Sequence, residues 1–434
     1  MPFDPGRLSA ETADRLRKGS AALAGWLVDT RRSFHRNPEL GWREVETTRR
    51  IAAELSALGY EVIAGRDMLG DAPRLGLSAV PIPGEGETGC IARFDTGRPG
   101  PTVCLRVDID ALPIREANSD HKPAAGGWRS AAEGVMHACG HDGHVTIGLG
   151  VARLMRPMIE TASGRLLILF QPAEEGGRGA RAVADAGWMN EVDAFLAVHV
   201  GLGAPSGTVA VGVQDFLATR KFRAVLTGRS AHAGKAPEEG RSALLAACQA
   251  VLGLHTLAQS AKPNVRVHVG VLHAGESANI VPDRAVLDFE VRASDNGTLD
   301  ALDHRCRTMI ASTAEAYEAT SLVELRGEAG AWRNPPEVAA WAARVNEEVA
   351  AFPETVSGFS FGASEDATIL AAAVAARGGA AGILVLGADL ADGHHTPHFD
   401  FDEDVLARGV LLMSALIADA MGVGAQAPGQ IPPR

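Results

Sequence analysis

Helix-like and strand-like hydrophobic patterns alternate along most of this 434-residue chain, and no other feature constrains its fold as strongly. Such alternation is typical of α/β proteins, in which helices flank a mixed, mostly parallel sheet. In order, the predicted elements of the first half are helices at 13–35 and 43–58, strands at 89–95 and 102–107, a helix at 144–159, a strand at 165–170, a helix at 179–186 and a strand at 194–198.

A second pattern interrupts the first at about residue 216. Its order of strand, helix, two strands, helix and strand is typical of a two-layer ferredoxin-like (βαββαβ) unit. Its predicted elements are strands at 221–227, 265–272, 284–291 and 321–325 and helices at 241–257 and 299–317. The α/β pattern then resumes, with a buried strand at 382–386. We therefore predict a main domain formed by residues 1–215 and 329–434, with a small domain inserted at 216–328.

Charge and hydropathy exclude several classes of function. The 41 basic and 53 acidic residues give a net charge of −12, and no run of lysine or arginine is present to follow a phosphate backbone, so no nucleic-acid partner is expected. No apolar stretch approaches the roughly 20 residues that cross a bilayer, and the N-terminus lacks the apolar centre of a signal peptide. We therefore expect a cytoplasmic protein without a membrane partner.

Residues 137–144 contain the densest group of metal-binding side chains, namely His137, Cys139, His141, Asp142 and His144. Thiolate and imidazole groups are ligands for zinc, manganese, cobalt and nickel. The ordinary alternative is a solvated helix start that an aspartate caps. Three histidines and a cysteine in one short segment favour the metal site.

Further candidates follow the predicted strands. In chain order they are Asp108 and Asp110, Glu174 and Glu175, His199, and the loop histidines His394, His395 and His398. Taken singly, adjacent glutamates are often solvated loop charge, and a lone histidine is more often a core residue than a ligand. Ligand sites, however, collect beyond the carboxyl ends of strands in such sheets. We therefore predict one site in which an aspartate binds metal or orients a histidine, and one glutamate is a ligand and the other a base.

Five segments, at 106–113, 137–144, 171–176, 230–234 and 279–283, together resemble the M20 metallopeptidase family. The resemblance is to its branch of amidohydrolases that cleave N-acyl amino acids and auxin conjugates, and segments 94–101, 170–180, 393–395 and 399–403 are similar to its aminobenzoyl-glutamate-cleaving members. The resemblance implies metal-dependent hydrolysis of an aryl-acyl amino acid. The first candidate substrate is p-aminobenzoyl-glutamate, and indoleacetyl-amino acid conjugates are the alternative.

The same resemblance implies a role for individual residues. It implies two divalent ions, Mn²⁺ or Zn²⁺, bound by Cys139, His141, Glu175, His199 and His395. Glu174 would be the general base, and Asp110 joins it in the predicted catalytic set. His394 and His398 remain open as alternatives to His395.

By the same resemblance, the inserted domain is a lid that also dimerises. His232 would reach into a partner's site to stabilise the oxyanion and contact substrate, and Asn279 and Arg292 would contact the substrate carboxylate. For Arg292, an ion pair on the sheet surface is the alternative. A homodimer is expected, and a heteromer with a related second subunit is the other possibility.

Two other functions use the same residues. A hydrolytic deaminase would direct the activated water at an aromatic ring carbon and release ammonia. A metal-dependent binding module would bind a small molecule without turnover. The presence of Glu174 beside a full ligand set argues against the binding module, whereas release of ammonia in place of an amino acid would distinguish the deaminase.

Overall fold

The computed structural model describes residues 6–259 and 264–424 and confirms the predicted α/β class. The α-helices of the described chain are α1 (Ala10–Arg36), α2 (Val45–Ala57), α3 (Arg66–Leu69), α4 (Lys122–Ala125), α5 (His141–Met155), α6 (Gly179–Asp185), α7 (Ala243–Thr256), α8 (Asn296–Ala316), α9 (Pro336–Val349), α10 (Ala367–Ala375) and α11 (Asp404–Ala420). No helix in this part of the chain combines the length and the apolar composition that a membrane span requires.

The strands form a large mixed sheet, a small antiparallel sheet and one isolated pair. They are β1 (Glu61–Ala64), β2 (Cys90–Asp95), β3 (Thr102–Asp108), β4 (Arg165–Gln171), β5 (Ala194–Val200), β6 (Thr208–Ala210), β7 (Val213–Gln214), β8 (Ala218–Thr227), β9 (Arg266–Ala274), β10 (Arg284–Ala293), β11 (Thr320–Ala329), β12 (Glu354–Val356), β13 (Phe359–Ser360) and β14 (Ala380–Leu386). The large sheet has the order β1-β2-β4-β3-β5-β14-β6-β12, and β7 pairs with β13.

The centre of the large sheet, β4-β3-β5-β14, is parallel throughout and covered on both faces. On β3, Val103 and Leu105 join the core formed with α1, α5 and α11, whereas Cys104 joins the core formed with α6 and α10. Burial on both sides explains why these strands are almost continuously apolar in sequence. Their parallel direction places their carboxyl ends at one edge of the sheet.

The small sheet has the order β11-β8-β10-β9, is antiparallel throughout and packs one face against α7 and α8. This is the βαββαβ order that the sequence predicts. Alternate residues of β10 are buried, as expected for a sheet with helices on a single face. The boundaries of the inserted domain at residues 216 and 328 stay a prediction.

Two differences from the sequence expectations have physical causes. The strands β1, β6, β7, β12 and β13 have two to four residues each, too few to show a period of two. Helix α5 begins at His141 and not at residue 144, because the N-cap Gly140 takes a left-handed conformation with φ of 97°. His141 therefore lies in the first helical turn, directly beyond the loop that contains Cys139.

Candidate active site

The predicted metal ligands and the predicted base converge at the carboxyl edge of the parallel strands. Among the groups of described residues whose donor atoms lie no more than 4.8 Å apart, several overlap here, and they include Cys139–His141–His199, Cys139–Glu175–His395 and His141–Glu174–Glu175. These groups join the loop before α5, the segment after β4, the end of β5 and the loop after β14. The structure thus brings together residues from four separate parts of the chain.

Two of these histidines each turn one ring nitrogen towards the same space. His141 Nδ1 donates to the backbone oxygen of Asp110 at 2.9 Å, and His199 Nδ1 donates to that of Val200 at 3.0 Å. A carbonyl oxygen can only accept, so Nδ1 carries a proton in both rings and Nε2 is the atom left for a ligand. His141 Nε2 is buried without a hydrogen-bond partner, and His199 Nε2 lies 3.6 Å from Cys139 Sγ.

Asp110 holds the surrounding groups in place. Its Oδ1 lies 3.2 Å from His141 Nδ1 and accepts from the backbone N–H of Glu174 at 3.1 Å, while its Oδ2 accepts from that of Glu175 at 3.0 Å. Only 1% of its surface is exposed. This geometry makes Asp110 a positioning residue for one ligand and for both glutamates, and the catalytic role predicted for it stays a prediction.

The two glutamates lie among further carboxylates. Glu174 Oε2 is 3.9 Å from His141 Nε2, and Glu175 Oε1 is 3.4 Å from His395 Nε2 and lacks a hydrogen-bond partner. Burial, followed by the charges of Glu365 and Glu175, raises the pKa of Glu174 well above its usual value. The site combines a buried thiol, imidazole nitrogens and neighbouring carboxylates. This donor set fits divalent cations, because a cation relieves the repulsion between the negatively charged carboxylates.

The other histidines of the sequence prediction differ in their availability. His144 donates from Nδ1 to Asp108 at 2.6 Å and accepts at Nε2 from the backbone N–H of Val200, so both ring nitrogens are engaged. His394 accepts at Nε2 from a backbone N–H and faces the site with a buried, unpartnered Nδ1. His398 packs against His121 instead. His395, paired with Glu175, is the ligand that this geometry favours.

A cavity of about 330 Å³ opens over these groups, between the large sheet and the small one. Phe361 contributes an aromatic surface, and the small sheet contributes Thr219, Lys221 and Arg292. Arg292 also donates to Glu290 through Nε at 3.0 Å and through Nη2 at 3.2 Å. The candidate metal ligands therefore form the floor of the cavity, and the small sheet forms a roof that carries positive charge.

His232 and Asn279 do not line this cavity. Both are exposed at the far end of the small sheet, where the backbone N–H of Ala233 donates to the carbonyl of Asn279 at 3.0 Å. They lie next to each other and away from the other predicted site residues. Their predicted roles would therefore require a second chain.

Sequence reasoning missed the ion cluster beneath the site. Arg106, buried in β3, contacts Asp108 at 2.7 Å and both Glu365 and Asp366 at 3.0 Å. Asp366 in turn accepts from the backbone N–H groups of Gly179 and Ala180. The available signal was an arginine inside an otherwise apolar strand, since such a group needs buried carboxylates.

Comparison with known proteins agrees with this geometry. The model of peptidase family M20/M25/M40 matches residues 104–419. One subunit of the p-aminobenzoyl-glutamate hydrolase of Escherichia coli (strain K12) is 41% identical over 411 residues, which cover 90% of this chain and 94% of the relative. The indole-3-acetyl-aspartic acid hydrolase of Enterobacter agglomerans is also 41% identical, over 417 residues that cover 90% of this chain and 95% of the relative.

Solved structures show the same fold. The aminobenzoyl-glutamate utilization protein of Klebsiella pneumoniae is 34% identical with a TM-score of 0.77, covering 95% of this chain and all (100%) of its own. A Bacillus subtilis protein described as a dinuclear metal-binding peptidase is 25% identical with a TM-score of 0.66, covering 93% of this chain and 99% of its own. The family resemblance read from the sequence is confirmed, and the chain belongs to peptidase family M20/M25/M40 as a hydrolase acting on amide bonds.

Proposed function

We propose that this protein is a two-metal amidohydrolase that separates an aryl-acyl group from an amino acid, with p-aminobenzoyl-glutamate as its first candidate substrate. The observation that carries the proposal is the set of unpartnered donor atoms around Glu174 in the cavity between the two sheets. Two relatives named for p-aminobenzoyl-glutamate and indole-3-acetyl-aspartic acid support the substrate class. Both names describe an aryl-acyl group joined to an acidic amino acid, so indoleacetyl conjugates are the second candidate.

In this proposal the two ions, Mn²⁺ or Zn²⁺, are held by the five residues whose donor atoms converge, namely Cys139, His141, Glu175, His199 and His395. When bound, such ions supply positive charge that acidifies a water molecule and stabilises an oxyanion. The hydrogen bonds of His141 and His199 fix their rings beforehand, which limits the entropy lost on binding.

Glu174 acts as the proton carrier. Its carboxylate takes a proton from the attacking water, whose oxygen forms a bond to the amide carbon. When the carbon–nitrogen bond breaks, Glu174 gives that proton to the leaving amine nitrogen. Asp110 holds the backbone of Glu174 in position by accepting its N–H.

Removal of the metals tests this proposal. We expect the metal-loaded protein to release p-aminobenzoate and glutamate, and a chelator to lower the rate by at least about 10³-fold because no cation then activates the water. Cys139→Ser should lose bound metal, whereas Cys248→Ser, which changes an exposed thiol, should retain it. Mass spectrometry identifies the products and elemental analysis counts the metal. Released ammonia would indicate the deaminase instead, and no turnover across N-acyl amino acids with Mn²⁺ would indicate a binding module.

We further propose a homodimer in which His232 of each chain completes the site of the other. The distance of exposed His232 and Asn279 from the cavity supports this arrangement. Leu245 and Leu252 support it as well, because they are 55% and 67% exposed at i and i+7 on α7, where apolar side chains favour association. A heteromer with a related second subunit is the alternative, since the Escherichia coli relative is named as one subunit of its enzyme.

Mixed subunits test the shared site. Glu174→Gln and His232→Ala homodimers should each be nearly inactive, because every site lacks one group. Heterodimers of the two variants contain one intact site, so random pairing should restore about a quarter of wild-type activity. Unfolding, mixing and refolding the two variants, followed by an activity assay, measures this recovery. If verified heterodimers recover no activity, His232 does not act in the partner's site.

A further inference from the structure

The roof of the cavity carries cations that differ in how they are neutralised. Arg292 is held by Glu290, and Arg43, which lines an adjoining cleft, lies 3.4 Å from Glu85. Arg178 donates from Nε to the backbone oxygen of Glu175. Lys221 forms neither an ion pair nor a hydrogen bond through its side chain with any described residue. Of the two cations that line the main cavity, Lys221 and Arg292, it is the one whose charge no described residue compensates. Arg178 also lacks an ion pair with a described residue, but it lines the adjoining cleft and not the main cavity.

Lys221 also occupies the junction of the cavities on this side of the molecule. It lines the main cavity with Glu174 and Glu175, and an adjoining cleft with Arg178 and His395. A third depression, on the open face of the small sheet, begins at the same residue. The half-buried side chain of Lys221 therefore borders the space where a substrate would lie.

A half-buried lysine without a counter-charge gains no ion pair in return for the hydration that its side chain loses. The floor of the cavity offers no relief, because its carboxylates face the proposed metal ions and Arg106. An anionic ligand would supply the missing partner.

We propose that Lys221 binds the side-chain carboxylate of an acidic amino acid in the substrate and thereby sets the preference for glutamate or aspartate conjugates. This inference rests on the proposed amidohydrolase function. An N-acyl glutamate has two carboxylates, and only one is attached to the carbon next to the scissile amide. Arg292 remains the predicted partner of that first carboxylate, and Lys221 is the unpaired cation available for the second.

A pair of substrates that differ in one charge tests the assignment, namely p-aminobenzoyl-glutamate and p-aminobenzoyl-glutamine. We expect Lys221→Met to lower kcat/KM for the glutamate conjugate roughly 10- to 100-fold, mainly through KM, because a charge-assisted hydrogen bond is lost. The kcat/KM for the glutamine conjugate should change by less than about threefold. The variant Lys221→Arg should keep most of the wild-type preference for the glutamate conjugate.

Arg223→Met is the matched control. Arg223 lies two residues along β8 on the same face of the sheet, but Asp288 neutralises it through two hydrogen bonds of 2.8 Å, and it does not line the main cavity. The control should leave the ratio of the two kcat/KM values unchanged. If Lys221→Met fails to fold by circular dichroism, Lys221→Gln replaces it in the same assay.

The outcomes separate this inference from the function on which it rests. Wild-type protein that cleaves both conjugates equally well, or a Lys221 variant that retains the wild-type preference, would overturn the role of Lys221 and leave the amidohydrolase intact. An equal loss for both conjugates would also overturn it. Wild-type protein that cleaves no N-acyl amino acid would overturn the proposed function itself.

Discussion

Glu174→Gln should lower kcat by about 10²- to 10⁴-fold while leaving the bound metal content near that of the wild type. An amide cannot accept the proton of the attacking water, and it keeps almost the same shape in the buried position next to His141. Because Glu174 is proposed as a base and not as a ligand, the metal site should survive. Steady-state kinetics with elemental analysis of the same sample measures both effects.

Glu175→Gln is the matched comparison, since the two residues are neighbours and share Asp110 as the acceptor for their backbone N–H groups. This variant should lose metal together with activity, because the unpartnered Oε1 of Glu175 is a proposed ligand atom. The assignment fails if Glu174→Gln retains full activity. It is reversed if Glu174→Gln loses metal and Glu175→Gln retains it.

The second large effect concerns stability. Arg106→Met should lower the free energy of unfolding by about 3–5 kcal/mol, because it leaves three buried carboxylates without their cation. Burial already raises the pKa of one of them, Asp366, to about 7. Without Arg106 that carboxylate is expected to take up a proton near neutral pH, which removes its uncompensated charge. The decrease in the free energy of unfolding should therefore be greatest at high pH, where the carboxylate must ionise.

Arg93→Met provides the control in the same sheet. Arg93 pairs with Glu61 on the surface, with 39% and 55% of the two side chains exposed, so its removal should cost less than about 1 kcal/mol. Urea denaturation of both variants with circular dichroism detection measures the difference. Equal losses for the two variants would contradict the view that the Arg106 cluster supports the floor of the site.

Much of this architecture could be predicted from sequence because its signals are local. The apolar strands β3, β4, β5 and β14 and the glycine before α5 are visible in short windows, and parallel strands have their ends at one edge. The choice between Glu174 and Glu175 as base was different. Both follow the same strand, so only the family resemblance separated their roles.

Other features depend on contacts between distant residues. Glu365 and Asp366 follow a strand of two residues, and nothing in that segment indicates that they meet Arg106 about 260 positions earlier. The free charge of Lys221 and the ion pair of Arg292 became apparent only from the positions of their neighbours. His232 needs a second chain in the proposed assembly, so one sequence could suggest its role but not place it.

All five proposed metal ligands and Glu174 lie outside residues 216–328, whereas Lys221 and Arg292 lie on the small sheet within them. In the proposed mechanism, the metal ligands and the proton carrier therefore belong to one stretch of polypeptide, and the residues that select the substrate belong to another, which also supplies His232 to the partner's site. Substitutions at the cavity-lining positions of the small sheet, away from His232, should change which compounds are accepted while the metal ligands and Glu174 stay in place. New specificities can thus evolve, or be engineered, by altering this one unit.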